Sequence, residues 1–202
     1  QKIENIATVG GVPTNPDIIE TEDRREQKGT VTVKGVKSST ESVSTPMDVV
    51  FVLDTSGSMK FGLNNNSASE DSRAKSMVNA VNSSIKTIMS KNADSRIGVV
   101  GFSGDASTII PLEKYDQNIN YLTREYSENN KSDTQKIVSN VGDKKSRTVT
   151  GGTNTQAGIK EGAEMLINSK NKKYTTTIDG NEITVTRTPV LILVTDGEPT
   201  YY

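Results

Sequence analysis

Two stretches restrict what this chain can fold into more than anything else in it. Asp48-Val49-Val50-Phe51-Val52-Leu53-Asp54 and Pro189-Val190-Leu191-Ile192-Leu193-Val194-Thr195-Asp196 are near-continuous apolar runs, each closed by an aspartate. A strand with one wet face alternates apolar and polar residues, whereas one covered on both faces need not. Both runs are predicted to be fully buried strands of a parallel sheet, and parallel neighbours need crossover connections, usually helical. Ala74, Met77, Val78, Val81, Ile85, Ile88 and Met89 fall at helical spacing, with Asp71 or Ser72 placed to cap the start. Met77 and Met89 are core positions on this reading. Arg96–Phe102 is predicted as another strand, and Ser107–Leu112 as a short one closed by Pro111. The tight loop Gly151-Gly152-Thr153-Asn154-Thr155 feeds a helix whose apolar face is Ile159, Ala163, Leu166 and Ile167, with Thr155 as its cap. Strands alternating with helices imply a doubly wound α/β fold.

The rest is more polar. Residues 1–46 form an extended segment or linker in which Thr30–Lys34 alternates like a strand. A lone strand does not fold by itself, so this segment is expected to join a flanking domain or lie along the main one, which runs from 47 to 202. Residues 115–131 read as polar loop, Ser132–Val141 as a short helix, and 174–187 as a hairpin turning at Asp179-Gly180. The polar stretch 115–150 is longer than a minimal connection needs, and long loops on a rigid scaffold often carry specificity. The chain begins at Gln1 and ends shortly after the second buried strand, as expected of an excised segment whose sheet is completed elsewhere.

Composition removes whole classes of chemistry. The chain has no cysteine and no histidine. Disulfides, thiolate metal sites, cysteine nucleophiles and Ser-His-Asp catalysis are excluded, and any metal must be a hard cation held by oxygens. The 24 basic and 25 acidic residues nearly cancel, so no overall charge draws the chain to nucleic acid or anionic lipid. No apolar run approaches the roughly 20 residues of a membrane span.

In open α/β sheets ligands bind at the carboxyl ends of the strands. Asp54 and Asp196 both sit there, and Asp54 opens the turn Asp54-Thr55-Ser56-Gly57-Ser58. Alternation aims Asp54, Ser56 and Ser58 at one point, and the Thr153 loop can add a hydroxyl. Two carboxylates and several hydroxyls form an incomplete oxygen shell for a divalent cation, which then keeps a position open for a partner's carboxylate.

These elements, Asp54-x-Ser56-x-Ser58, Thr153 within Gly-Gly-Thr-Asn-Thr and Asp196 within Val-Thr-Asp-Gly-Glu, resemble the metal-ion-dependent adhesion site of the von Willebrand factor type A domain, shared with integrin inserted domains. The resemblance runs from about Met47 to the C-terminus. It implies a mostly parallel six-stranded sheet wrapped by helices, with Mg²⁺ or Mn²⁺, or else Ca²⁺, at the top. It implies direct metal binding by Ser56 and Ser58. Thr153 and Asp196 would bind directly or through water, and Asp54 would be an anchor behind the direct ligands or acting through water. The style is also similar to pilus-tip and surface adhesins of Gram-positive bacteria, in which such a domain is inserted into immunoglobulin-like stalk domains.

The reading that follows is a non-enzymatic, metal-dependent adhesion module on a bacterial surface, cell wall or pilus. Its partners would be a host matrix or cell-surface protein offering an acidic residue, and pilus backbone subunits. Two alternatives stand beside it: an intracellular partner of an ATPase, of chelatase or chaperone type, and a Mg²⁺-dependent phosphatase with Asp54 as nucleophile. The phosphatase pattern wants a second aspartate where this chain has Ser56. Glu198, Tyr201 and Tyr202 lie close to the site in sequence. Lys144, Lys145 and Arg147 either form a solvated loop or steer an acidic ligand, and Lys34 or Lys37 is either a plain surface lysine or a cross-linking one.

Overall fold

The computed structural model describes residues 45–64, 66–128, 134–178, 180–197 and 200. The expectations for residues 1–44, Lys34 and Lys37 among them, fall outside the described residues, as do those for Glu198, Tyr201 and Tyr202. The first buried run forms β1 (Met47–Asp54), and every residue of it after Met47 is buried. A 3₁₀ turn at Gly57–Lys60 leads toward α1 (Arg73–Lys91), which returns the chain to β2 (Arg96–Phe102). Next come β3 (Ala106–Glu113), β4 (Leu122–Ser127), β5 (Thr134–Ser139), β6 (Ser146–Thr148) and α2 (Thr155–Ile167). The described chain closes with β7 (Lys173–Ile178), β8 (Asn181–Thr186) and β9 (Thr188–Val194).

The main sheet has the order β3-β2-β1-β9. β1 pairs in parallel with both β2 and β9, while β3 runs antiparallel to β2. It therefore has four strands among the described residues, against the six the resemblance implies. Strand geometry sends alternate side chains to opposite faces, and β1 divides accordingly. Val49, Phe51 and Leu53 pack with Met77, Val78, Val81, Ile85 and Met89 of α1. Val50 and Val52 pack with Val100, Phe102, Met165 and Leu166, on the side that α2 covers. One helix on each face makes the sheet doubly wound, as the pattern predicts.

Several expectations need correction. Among the described residues β9 pairs only with β1 and is half exposed along its length, with Leu193 37 % exposed, where full burial is expected. β3 continues through Pro111 to Glu113, because at the opposite edge a missing N–H costs no ladder bond. Residues 115–131 contain β4, and Ser132–Val141 holds strand β5 where a helix is expected. β4, β5 and β6 form their own antiparallel sheet. The 174–187 hairpin is present as β7 and β8.

The two helix starts divide the capping expectations. Ser72 caps α1, its hydroxyl accepting from Lys75 N at 3.2 Å. α2 is capped by Asn154, which accepts from Ala157 N at 3.0 Å; Thr155 is already inside the helix. The sheet-facing side of α2 is the expected one only in part. Leu166 packs against the sheet, but Ile159 and Ile167 are exposed, and Gly158 and Gly162 are buried.

Candidate metal centre

The register of β1 and β9 pairs Leu53 with Val194 and so brings Asp54 and the Thr195-Asp196 pair to the same edge of the sheet. Asp54 is completely buried. One of its oxygens, Oδ1, accepts from Ser56 N at 2.8 Å, and Oδ2 accepts from the Thr195 hydroxyl at 2.6 Å. The first bond closes an Asx-type turn that reverses the chain directly after the strand. Through it the carboxylate of Asp54 fixes the backbone carrying Ser56 and Ser58.

Beyond that turn three oxygens converge. The hydroxyls of Ser56 and Ser58 lie 3.1 Å apart, and Ser58 Oγ donates to Asp196 Oδ1 at 3.0 Å. The other oxygen of Asp196 accepts from the Arg73 guanidinium at 2.6 Å. Among the described residues no three carboxylates come together in a metal-binding group, so a cation here would meet two carboxylates and a set of neutral hydroxyls.

The Thr153 loop is stitched to both sides of this cluster. Gly57 N donates to Gly151 O at 2.9 Å and Thr150 N to Thr55 O at 2.8 Å. A β-carbon on Gly57 would stand 3.4 Å from Gly151 O, and Gly151 itself has φ +82°, which suits glycine. Thr153, 5 % exposed, donates its N–H to Thr200 Oγ1 at 2.7 Å and accepts from Thr200 N at 3.0 Å. Arg147 crosses behind the loops. Its guanidinium donates to Thr55 Oγ1, Ser107 Oγ, Ser103 Oγ and both the carbonyl and carboxylate of Asp105, at 2.5–3.0 Å. The same contact holds the Asp105 carboxyl below the usual carboxylate range.

The structure thus joins Asp54, Ser56, Ser58 and Asp196 in one hydrogen-bonded cluster and ties the backbone of Thr153 to the loops around it. Arg147 is neither a solvated residue nor a ligand-steering one, because its side chain is 11 % exposed and bound to the loops. Lys144 and Lys145 are exposed. Three contributors escape sequence reasoning. Thr195 stands next to Asp196 and has a signal in that adjacency. Thr200 and Arg73 have none, since Arg73 lies 123 positions from its partner.

No curated protein matches the chain. Among solved structures, it is similar to the pilus adhesin SpaC from Lactobacillus rhamnosus GG, at 19 % identity and a TM-score of 0.38. That match covers 70 % of this chain and 18 % of the other, so this chain corresponds to a small part of that protein. The family model for the von Willebrand factor type A domain matches residues 49–198, from β1 through the Asp196 turn, and the chain belongs to that family.

Proposed function

We propose that this domain is a divalent-cation-dependent binding module, not an enzyme, serving as an adhesin on a bacterial surface or pilus. It would take an acidic side chain of a host matrix or cell-surface protein. One observation carries the reading. Asp54, fully buried, holds through its two oxygens both the turn that carries Ser56 and Ser58 and the Thr195 hydroxyl next to Asp196, so that two hydroxyls and the Asp196 carboxylate converge at one end of the sheet. Such a cluster of hard oxygen donors is what a divalent cation takes.

The donor set is made of oxygens alone: the Ser56 and Ser58 hydroxyls are 3.1 Å apart and Ser58 Oγ is 3.0 Å from Asp196 Oδ1, which suits a hard cation such as Mg²⁺ or Mn²⁺, or else Ca²⁺. On this reading Ser56 and Ser58 would hold the cation directly, Thr153 and Asp196 would do so directly or through water, and Asp54 would anchor the turn. When bound, the cation supplies an electrophilic position that accepts a carboxylate. The chain's own residues do the rest. Hydroxyls leave most of the ion's charge unneutralised, and the hydrogen bonds from Ser56 N and Thr195 keep Asp54 from turning outward.

The phosphatase alternative is disfavoured by the same geometry, because a nucleophile must reach its substrate and Asp54 is 0 % exposed with both oxygens engaged. Among the described residues no helix is long and apolar enough to cross a membrane. The test is calorimetric titration of Mg²⁺ and Mn²⁺ into the chain and into Asp54→Ala, with binding to collagen, fibronectin and fibrinogen measured with and without chelator. Cation uptake and chelator-sensitive binding, both lost in the variant, are expected. Absence of cation uptake by the unaltered chain, or cation-dependent binding that survives in Asp54→Ala, overturns the mechanism.

A further inference from the structure

Arg73 is the first residue of α1, and a cation there opposes the helix dipole. No acidic residue occupies that first turn to offset it. Instead the side chain leaves the helix start and places its guanidinium 2.6 Å from Asp196 Oδ2, with the side chains of Arg73 and Asp196 26 % and 13 % exposed. Ser58 takes the other oxygen, so both oxygens of Asp196 are occupied by protein donors. The buried carboxylate of the site, Asp54, has no such partner among the described residues, and the cationic contact falls on the outer one. An arginine cannot lose its charge near neutral pH, so a change of pH near neutrality does not release Asp196 from it.

We propose that Arg73 is a built-in counter-cation for Asp196: it holds this carboxylate when no divalent ion is bound and competes with the ion for it, so that Arg73 sets the cation affinity of the site. The inference rests on the metal-binding reading above. Two consequences separate it from simple like-charge repulsion between Arg73 and the ion. A competitor that pairs with Asp196 stabilises the cation-free fold, whereas a merely repulsive neighbour does not. Arg73 and Asp196 must also couple energetically in the absence of metal, which a double-mutant cycle reads directly.

The experiment uses the whole chain, Arg73→Gln, Arg73→Lys, Asp196→Asn and the Arg73→Gln/Asp196→Asn double variant. Mn²⁺ and Mg²⁺ are titrated calorimetrically into the chain and the two Arg73 variants, and all five proteins are melted in chelator. Arg73→Gln is expected to bind Mn²⁺ on the order of tenfold more tightly, with Arg73→Lys in between because it keeps the charge without the planar fork. In chelator, Arg73→Gln is expected to melt below the unaltered chain, and its effect to shrink when Asp196 is already asparagine. Unchanged or weaker Mn²⁺ binding in Arg73→Gln, or additive melting effects in the cycle, overturns the proposal while leaving the metal site standing. If the unaltered chain and Arg73→Gln both fail to bind either cation, the metal reading itself falls and the competition falls with it.

Discussion

The Arg147 guanidinium joins Thr55, Ser103, Asp105 and Ser107, and so ties the turn after β1 to the β2–β3 connection. Hydrogen bonds to a charged group contribute about 1.5–3 kcal/mol each when sheltered, and they are not additive. The Asp105 leg counts for least, since that carboxylate is 84 % exposed and solvent-screened. Arg147→Met, which keeps most of the packing, is expected to destabilise the domain by about 3 kcal/mol in urea unfolding. Tyr121 offers the opposite case. It is 1 % exposed, stands edge-on to Tyr115 at 5.7 Å, and its hydroxyl has no hydrogen-bond partner among the described residues. Burial, reinforced by the Asp116 charge, pushes its pKa up to about 12. A phenol whose folded pKa exceeds its unfolded value of about 10 contributes stability that is complete below pH ~10 and lost as pH rises toward ~12. Tyr121→Phe removes an unsatisfied buried hydroxyl and this titration together. It is expected to raise stability by about 1 kcal/mol near neutral pH, and to lessen the loss seen by denaturant unfolding between about pH 10 and 12.

At the scale of elements, the glycines of α2 decide how closely that helix approaches the sheet. A β-carbon on Gly158 would lie 2.6 Å from Phe102 Cδ1, and one on Gly162 would lie 2.6 Å from Val52 Cγ2. Alanine is favoured over glycine inside a helix by about 1 kcal/mol, but overpacking costs about 1–3 kcal/mol. The Phe102 ring is fully buried and cannot swing away, so overpacking wins. Gly158→Ala is expected to destabilise by about 1–2 kcal/mol in urea unfolding, with Ile159→Ala, on the exposed side, within about 0.5 kcal/mol of the unaltered chain. The same packing explains why part of the α2 face is misread from sequence: beside Met165 and Leu166, the contact is made by glycines, which hydrophobic periodicity does not register. β5 hides for a related reason. Its inward residues include Gln135 and Ser139, both buried. Gln135 accepts from Ser72 Oγ at 2.6 Å and donates to the carbonyls of Lys60 and Ser69. A polar side chain that anchors α1's cap looks like a surface residue in a one-dimensional reading. β1, β2, α1 and the hairpin are legible because apolar spacing or turn chemistry carries them. The meeting of Asp54, Ser56, Ser58 and Asp196 at one edge of the sheet is legible because each sits at or just after a strand end; cation binding by them is the proposal. Asn82 shows the limit again: its side-chain amide bonds both N and O of Leu122 and pins β4 to α1, through a residue that looks like a helix surface position.

Across the whole molecule the two ends of the main sheet are held by different means. At the start of the strands, Asp48 is 3 % exposed and takes a bidentate pair from Arg96 at 2.8 and 2.7 Å. Asp94 nearby binds Lys114 and Tyr174, and these contacts lower its pKa. That end is closed by ion pairs and hydrogen bonds within the protein. At the carboxyl end, segments after β1, before α2 and after β9 meet around Asp54 and Asp196, joined by hydrogen bonds between loops that are far apart in sequence. A cation bound there would cross-link these segments in the folded state and have no assembled site in the unfolded one. Binding to the folded state alone at a hundredfold excess over Kd stabilises by about 2.7 kcal/mol, which for a domain of this size corresponds to a rise in Tm of about 5–10 °C. Saturating Mg²⁺ or Mn²⁺ is therefore expected to raise Tm by that amount, chelator to reverse it, and Asp54→Ala to abolish the response. A rise of equal size in Asp54→Ala would put the responding cation somewhere other than this end of the sheet.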